Sequence, residues 1–415
     1  MQPTGMAHRL AGAPLLPPAA ARLRERAPAA DYTISVDVVP LSAGDPRYAR
    51  AWDDLARAAS EPNVFAERWF VAAGVANLPQ GEGARMLRVW RGAPGGELIG
   101  LFPFAILPRY GRLPLRHVQN WLHHHSFLGT PLLRAGQEQA AWTAILTALD
   151  QTPSAVGLLH INGLVEAGPV HRALIAAAAA LHRPCDVVHR IERALLQSEL
   201  TPVAYYEATV RKKKRKELKR LETRLAEQGA VVLRRLQSGD DLTSWCDDFL
   251  RLENAGWKGS AGSALAATPG TDRFFRDALA GAHAAGRLEM IRLDLDGRAI
   301  AMLVNLYASP GAFSFKTAFD EDLARFSPGV LLQLENLAVL DRPDIAWVDS
   351  CAVEQHPMIN SLWAQRRSVV RVSVPLSGWR RGAAFRVARA AERTADALKN
   401  YRRRPRPTQP DEADA

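Results

Sequence analysis

The sequence predicts an α/β protein, α+β in the order of its elements, made of two similar halves. Three observations predict it. The chain has 415 residues, which at about 150 residues per domain suits two domains better than one. Its strand signals come as hairpins set between helices. Two distant stretches, residues 85–107 and 289–308, share one plan of strand, tight turn and apolar strand, each with helices before it and a helix and strand after it.

The elements follow in order. Tyr32 to Val39 alternates and is β-branched, a strand. Pro46 to Ala59 places Tyr48, Trp52, Leu55 and Ala59 at helical spacing and stops before Pro62; Phe65 to Ala76 is a second helix. Met86 to Trp90 and Leu98 to Leu107 are strands joined across Gly92 to Gly96. Val156 to Ile161 is a buried strand, Val170 to Leu181 a helix and Cys185 to Ile191 a strand. One long helix is expected from Val203 to Gln228, closed by Gly229, with Leu218, Leu221 and Leu225 on one face. Val231 to Leu236 is a strand, and Leu242 to Asn254 and Thr271 to Ala285 are helices. Leu288 to Leu295 and Ala299 to Ala308 form a hairpin about Asp296-Gly297, with Ala312 to Thr317 as third strand. Ser327 to Leu340 is a helix, Ile345 to Asp349 a strand and Gly382 to Tyr401 a terminal helix.

Composition excludes several classes. Hydrophobic residues make up 47% and charged residues 23%, a globular balance that excludes wholesale disorder. The longest apolar stretch, Ala173 to Leu181, is mostly alanine and too short to span a bilayer. Three cysteines, Cys185, Cys246 and Cys351, exclude a disulfide framework and a Cys-rich zinc site, and point to a reduced, cytoplasmic chain. Residues 1–30 read as a disordered leader, because prolines interrupt the only candidate for a signal, and residues 403–415 as a disordered tail. The net charge of +10 is local: residues 205–228 hold nine Lys/Arg against four Glu, and residues 379–407 ten against two acids.

Chemistry concentrates in residues 312–340. A strand ends in Phe315-Lys316, a polar loop follows, and Ser327-Pro328-Gly329 opens an apolar helix. Serine suits the N-cap and proline the first helical position. Gly329 leaves the first turn open, so the helix start can meet an anion such as a pyrophosphate. Ordinary capping uses the same residues. His123, His124 and His125 are consecutive, so their side chains diverge and do not chelate one metal unaided; a loop lining the cleft between halves suits them. HExxH, Walker, GxSxG and CxxC motifs are absent.

Three strands around a hairpin, a phosphate-type loop, a helix and a strand resemble the GNAT acyltransferase superfamily. The wording is nearest to the acetyltransferases of the CelD/BcsL (cellulose-biosynthesis acetyltransferase-like) branch, neighbours of the FemAB peptidyltransferases. Gly256-Trp257-Lys258-Gly259, Phe315 to Asp320 leading into Ser327-Pro328-Gly329, and Asp349 followed by His356 to Asn360 and Trp363 carry this resemblance, over about 250–370. The usual Arg/Gln-rich loop with two glycines is replaced by Ala324 to Gly329. The resemblance implies two tandem GNAT-like domains packed face to face, each a mixed, mostly antiparallel sheet flanked by helices. The boundaries are then a degenerate first domain over 31–200, a basic connecting helix over 201–229, the acyltransferase domain over 230–378 and a basic amphipathic helix over 379–402.

It also implies acyl-CoA (acetyl-CoA or longer) as co-substrate and no metal, with an amine or hydroxyl as acceptor. Lys316, Ser327, Pro328 and Gly329 would hold the donor, and Trp257, Lys258 and Phe315 the substrate. Each lysine equally suits a stem packed on its neighbouring aromatic ring. Asp320, Asp349 and His356 are the candidate bases; a turn-capping Asp and a structural His are the plainer readings. Glu253, one turn before Trp257, is placed to face the same pocket, with a surface helix residue as the plainer reading. Helix 205–228 suits tRNA, an anionic glycan or anionic lipid, or else a solvated connector with its leucines inward. The terminal helix suits a membrane surface or packing on the protein. Three functions stay open: acyl transfer from acyl-CoA, with an envelope or exopolysaccharide role; FemAB-like transfer from aminoacyl-tRNA; and a scaffold without turnover.

Overall fold

Apolar and β-branched runs cut by Gly, Pro and Asp turns settle into thirteen strands of one sheet in the computed structural model, which describes residues 33–41, 46–153 and 155–403. The expected leader lies outside the described residues, as does the expected tail beyond Arg403, which ends the last helix. The strands are β1 (Ile34–Pro40), β2 (Arg85–Arg91), β3 (Glu97–Leu107), β4 (Arg116–Asn120), β5 (Leu132–Leu133), β6 (Val156–Val165), β7 (Asp186–Leu196), β8 (Val231–Arg235), β9 (Leu288–Leu295), β10 (Arg298–Ala308), β11 (Gly311–Phe319), β12 (Trp347–Asp349) and β13 (Gln365–Pro375). The helices are α1 (Pro46–Ala58), α2 (Arg68–Asn77), α3 (Glu138–Asp150), α4 (Pro169–Ala180), α5 (Pro202–Thr209), α6 (Lys212–Ala226), α7 (Leu242–Ala255), α8 (Trp257–Ser260), α9 (Pro269–Ala284), α10 (Pro328–Glu335), α11 (Pro357–Asn360) and α12 (Trp379–Arg403).

The strand order is β1-β2-β3-β4-β6-β13-β7-β12-β11-β10-β9-β8, with β5 on β3. Neighbours are antiparallel except β4 with β6 and β11 with β12. Read inward from either end, the order repeats: four antiparallel strands, a parallel partner, then the last strand of the other half. Strand β13 lies between β6 and β7, and β7 between β13 and β12. The halves therefore join edge to edge through exchanged strands, not face to face. Helices complete the junction: α2 of the first half packs on α9 of the second, in a core that holds Phe65, Phe70, Phe249, Phe274 and Phe315.

The expected helix over 203–228 is two helices. Arg211 is extended (φ −54°, ψ 139°), and the Arg215 guanidinium donates to the carbonyls of Val210 (3.1 Å) and Glu207, capping the end of α5. Buried Tyr205 pins α5 by donating to Gln365 Oε1 at 3.0 Å and accepting from Ala364 N–H at 2.9 Å. In α6, Leu218 and Leu225 are buried while Lys212, Lys213, Lys216 and Lys219 are exposed. In α12, Phe385 and Ala388 turn onto β6 beside Tyr110 and Leu158, and Arg389 pairs with Asp186 at 3.0 Å. Among the described residues no helix is long and apolar enough to cross a membrane.

Candidate functional site

The site forms where two parallel strands separate. Strand β12 pairs with β11 only from Gly311↔Trp347 to Phe313↔Asp349; beyond that β11 runs on to Phe319 while the other chain turns away at Ser350. The register of β11 against β10 slips in the same place, Asn305 facing Ser314 and Val304 facing Lys316, so Phe315 has no partner opposite. Such a bulge re-aims the side chains around it. The opening is a cavity of about 600 Å³. Strand β11 supplies one wall through Ser314, Lys316 and Thr317; Ser350 to Val353 supply the other, and the start of α10 closes one end.

The structure brings seven of the ten sequence-predicted residues directly to this cavity: Trp257, Lys258, Phe315, Lys316, Ser327, Gly329 and His356. Pro328 sits beside it at the first position of α10. Asp320 and Asp349 do not line it. Asp320 caps the turn at Asp322 N–H (3.1 Å) and pairs with Arg298 at 3.2 Å. Asp349 is fully buried and held by Arg193 at 2.7 Å and Arg367 at 3.0 Å. Burial opposes its ionisation, but the two guanidiniums outweigh burial and keep the carboxyl below its usual range. A carboxylate so held joins strands β7, β12 and β13 and is a poor proton acceptor. The general-base expectation for these two aspartates is therefore corrected to a structural role.

Lys316 is the most unusual group here. Its Nζ lies 5.7 Å from the Phe127 ring centre and 5.4 Å from that of Phe315. It makes no hydrogen bond or ion pair among the described residues. Burial lowers its pKa to about 8, with Glu253 opposing and Lys258 adding to the fall. Glu253 does not compensate it directly. That carboxylate is buried, not on the surface as its helical position suggests, and it is taken by Lys258 (2.8 Å) and Leu265 N–H (2.8 Å). The sequence lacks a mark for this because one of the partners is the backbone N–H of Leu265, twelve residues on, past a Gly/Ser-rich turn.

At the α10 start, Ser327 takes the left-handed conformation (φ 52°) and makes no side-chain cap, which differs from the expected capping serine. The N–H groups of Val330 and Leu331 turn to its carbonyl at 2.9 and 3.1 Å. Gly329 matters for space: a Cβ there would stand 3.1 Å from the Phe319 ring and 3.6 Å from Met358 sulfur. His356 lines the cavity, accepts from Ile359 N–H at 3.5 Å through Nδ1, and is kept neutral by burial. Cys351 is buried with its thiol pushed well up, so it is no nucleophile. Its φ of 54° places backbone strain in the cavity wall. Among the described residues no group of three His, Cys, Asp or Glu side chains is arranged to hold a metal.

In the first half the strands are tied together at the corresponding place, and the tied residues Gly129, Asn162 and Gly163 line a separate cavity. Asn120, at the end of β4, donates from Nδ2 to Gly129 O (3.0 Å) and Asn162 O (2.9 Å) and accepts from Asn162 N–H (2.9 Å). Gly129 N–H donates to Gly163 O at 2.9 Å. A Cβ on Gly129 would fall 1.9 Å from Asn162 O.

The comparisons with known proteins follow this geometry. Residues 212–354 match the family model described as an acetyltransferase (GNAT) domain. The chain has the fold of FemX: 10% identity, TM-score 0.54, with 81% of this chain and 96% of that one covered. It is also similar to a conserved protein of unknown function from Bacteroides thetaiotaomicron VPI-5482 (10% identity, TM-score 0.51, 83% and 100% covered). A third neighbour is the C-terminal domain of a putative lysylphosphatidylglycerol synthetase from Agrobacterium fabrum (10% identity, TM-score 0.50, 82% and 94% covered). No curated protein matches the sequence.

Proposed function

We propose that the protein is an acyltransferase that moves an acyl group from acyl-CoA to an amine or hydroxyl acceptor in the cavity between β11 and β12. The observation that carries this reading is the unpaired Lys316 ammonium beside a backbone bulge, in a cavity that ends at a helix start. Acyl-CoA supplies an activated thioester. Ser327, Pro328 and Gly329 would seat its diphosphate at the positive end of α10. The gap between β11 and Ser350 to Val353 is where the arm that joins diphosphate to thioester would lie. Lys316 meets the negative charge that develops on the carbonyl oxygen; it stands among aromatic rings with no carboxylate bonded to it, so its charge is left for the ligand. Trp257 and Lys258 line the cavity beside Phe315, and Lys258 is restrained by Glu253. His356, neutral at pH 7, is the candidate to take the acceptor's proton, at Nδ1 and in exchange for its long contact with Ile359 N–H.

Free CoA should appear when acetyl-CoA and a mixture of amine and hydroxyl acceptors are supplied. Lys316→Met should remove that release while acetyl-CoA binding persists; unchanged release in the variant would refute the role of Lys316.

The exposed cations of α6 and the FemX-like fold favour a second reading, aminoacyl transfer from tRNA. It requires steeply salt-dependent tRNA binding that flattens when Arg211 to Lys216 are replaced by Gln. An envelope or exopolysaccharide role rests on the CelD/BcsL resemblance, and a membrane-peripheral placement on the basic surface of α12.

A further inference from the structure

A second cavity, of about 500 Å³, lies on the central strands β6, β13 and β7 beneath the loop that carries the three histidines. Its composition is one-sided. His123, His124, His189, Arg193 and Arg371 line it, and no carboxylate does. His124, His189 and Arg371 are exposed at its mouth. The side chains of His189 and Arg371 make no hydrogen bond or ion pair among the described residues. They face one another across the antiparallel pair, His189↔Arg371, with Ile191↔Val369 and Arg193↔Arg367 further along the same face. Deeper in, Arg193 is buried, and its Nε has no partner although its other nitrogens bond Phe127 O and Asp349. A buried N–H donor without an acceptor is costly, and a ligand that supplies the acceptor recovers that cost.

This cavity touches the first. Phe127 lines both, and Asp349, which anchors Arg193, directly precedes the Ser350 wall of the first cavity. We infer that the second cavity binds the acceptor, and that the acceptor carries an anionic group, a phosphate or a carboxylate, held by Arg371 and His189, with its nucleophile reaching past Phe127 toward the first cavity. The anionic seat stands on the cavity alone; its service to an acceptor rests on the acyltransferase reading. Arginine is suited to it because its planar fork grips either group through two parallel hydrogen bonds. Ile191 and Val369 give the remainder of the acceptor an apolar floor.

The test is calorimetry of inorganic pyrophosphate and of citrate, which separate the phosphate and carboxylate sources. It is made on the full chain carrying Gly329→Asp, so that the α10 start does not compete for the probe. One of the two probes should bind, and Arg371→Gln with His189→Gln should weaken it at least tenfold while leaving acetyl-CoA binding to the otherwise unaltered chain intact. Absence of binding by both probes, or binding indifferent to the double substitution, overturns the inference. Failure of the donor reading is seen separately, as acetyl-CoA that does not bind the unaltered chain while the anion still does. Protection of Arg371 from phenylglyoxal by the bound probe gives a second readout that does not depend on turnover; equal labelling with and without probe also overturns it.

Discussion

The two halves share a strand order and part company at the fork where the parallel strands separate. In the second half β11 and β12 separate after Phe313↔Asp349 and leave a cavity with an unpaired lysine. In the first, Asn120, Gly129 and Asn162 sew the fork with four hydrogen bonds, and a glycine is placed where no side chain fits. The same backbone plan thus provides one opening and one strut. The fold sets where a site can be; a few side chains decide whether it exists. The tied fork of the first half is not idle: Gly129, Asn162 and Gly163 form one side of the second, cationic cavity.

The largest effect is expected where the halves meet. Asp349→Ala leaves Arg193 and Arg367 without their shared partner, and removing one member of a buried charge network costs about 3–5 kcal/mol. Urea unfolding should show a loss of that size. Full stability with activity alone abolished would return Asp349 to the list of bases.

Opening the closed fork comes next. Asn120→Ala removes three of its hydrogen bonds and strands the Asn162 and Gly129 backbone groups, at about 2–3 kcal/mol. Acetyl-CoA binding in the second half should be unchanged. Coupled loss of both would mean that the halves do not act separately.

Lys316→Met runs the other way. A lysine whose pKa burial has lowered from 10.5 to about 8 destabilises the fold at neutral pH. Its removal should raise stability by about 1–2 kcal/mol, after discounting for solvent in the cavity, while activity is lost. The sign is fixed by protons. Between pH 8 and 10.5 the folded lysine holds fewer protons than the unfolded one, so the unaltered chain gains stability as pH rises through that window. The gap to Lys316→Met should therefore be full below pH 8 and close by pH 10.5. A gap independent of pH would show that Lys316 is well solvated.

The smallest and sharpest effect is the pH profile of kcat/KM. If Lys316 acts as a cation, the rate falls above about pH 8, and Lys316→Arg, protonated throughout, should carry the fall upward. A rate that climbs through the same pH instead would make Lys316 the base.

Much of this was legible in the sequence. The hairpins at Gly92 to Gly96 and Asp296-Gly297 declare themselves through turn chemistry, and their repetition marks the two halves. Phe315-Lys316 and Ser327-Pro328-Gly329 stand out as a strand, polar loop and open helix start in succession, although ordinary capping and a packed lysine stem read the same way. Strands β4 and β13 have no counterpart among the expected elements. Gln365 to Arg371 is broken by charges, of which Arg367 answers Asp349 and Arg371 stands at the mouth of the second cavity. Exchange of β7 and β13 is a long-range event that no local pattern records. The two aspartates show the same limit: a carboxylate at a strand end looks alike whether it faces a cavity, caps a turn as Asp320 does or meets two arginines as Asp349 does.

The central claim is that one fork is open and the other closed. It is tested most directly by the stoichiometry of acetyl-CoA binding, measured by calorimetry on the unaltered chain and on Gly329→Asp. One molecule per chain, lost with Gly329→Asp while the fold is retained, is the predicted result. Two molecules per chain, or one that still binds the variant with equal affinity, would contradict it.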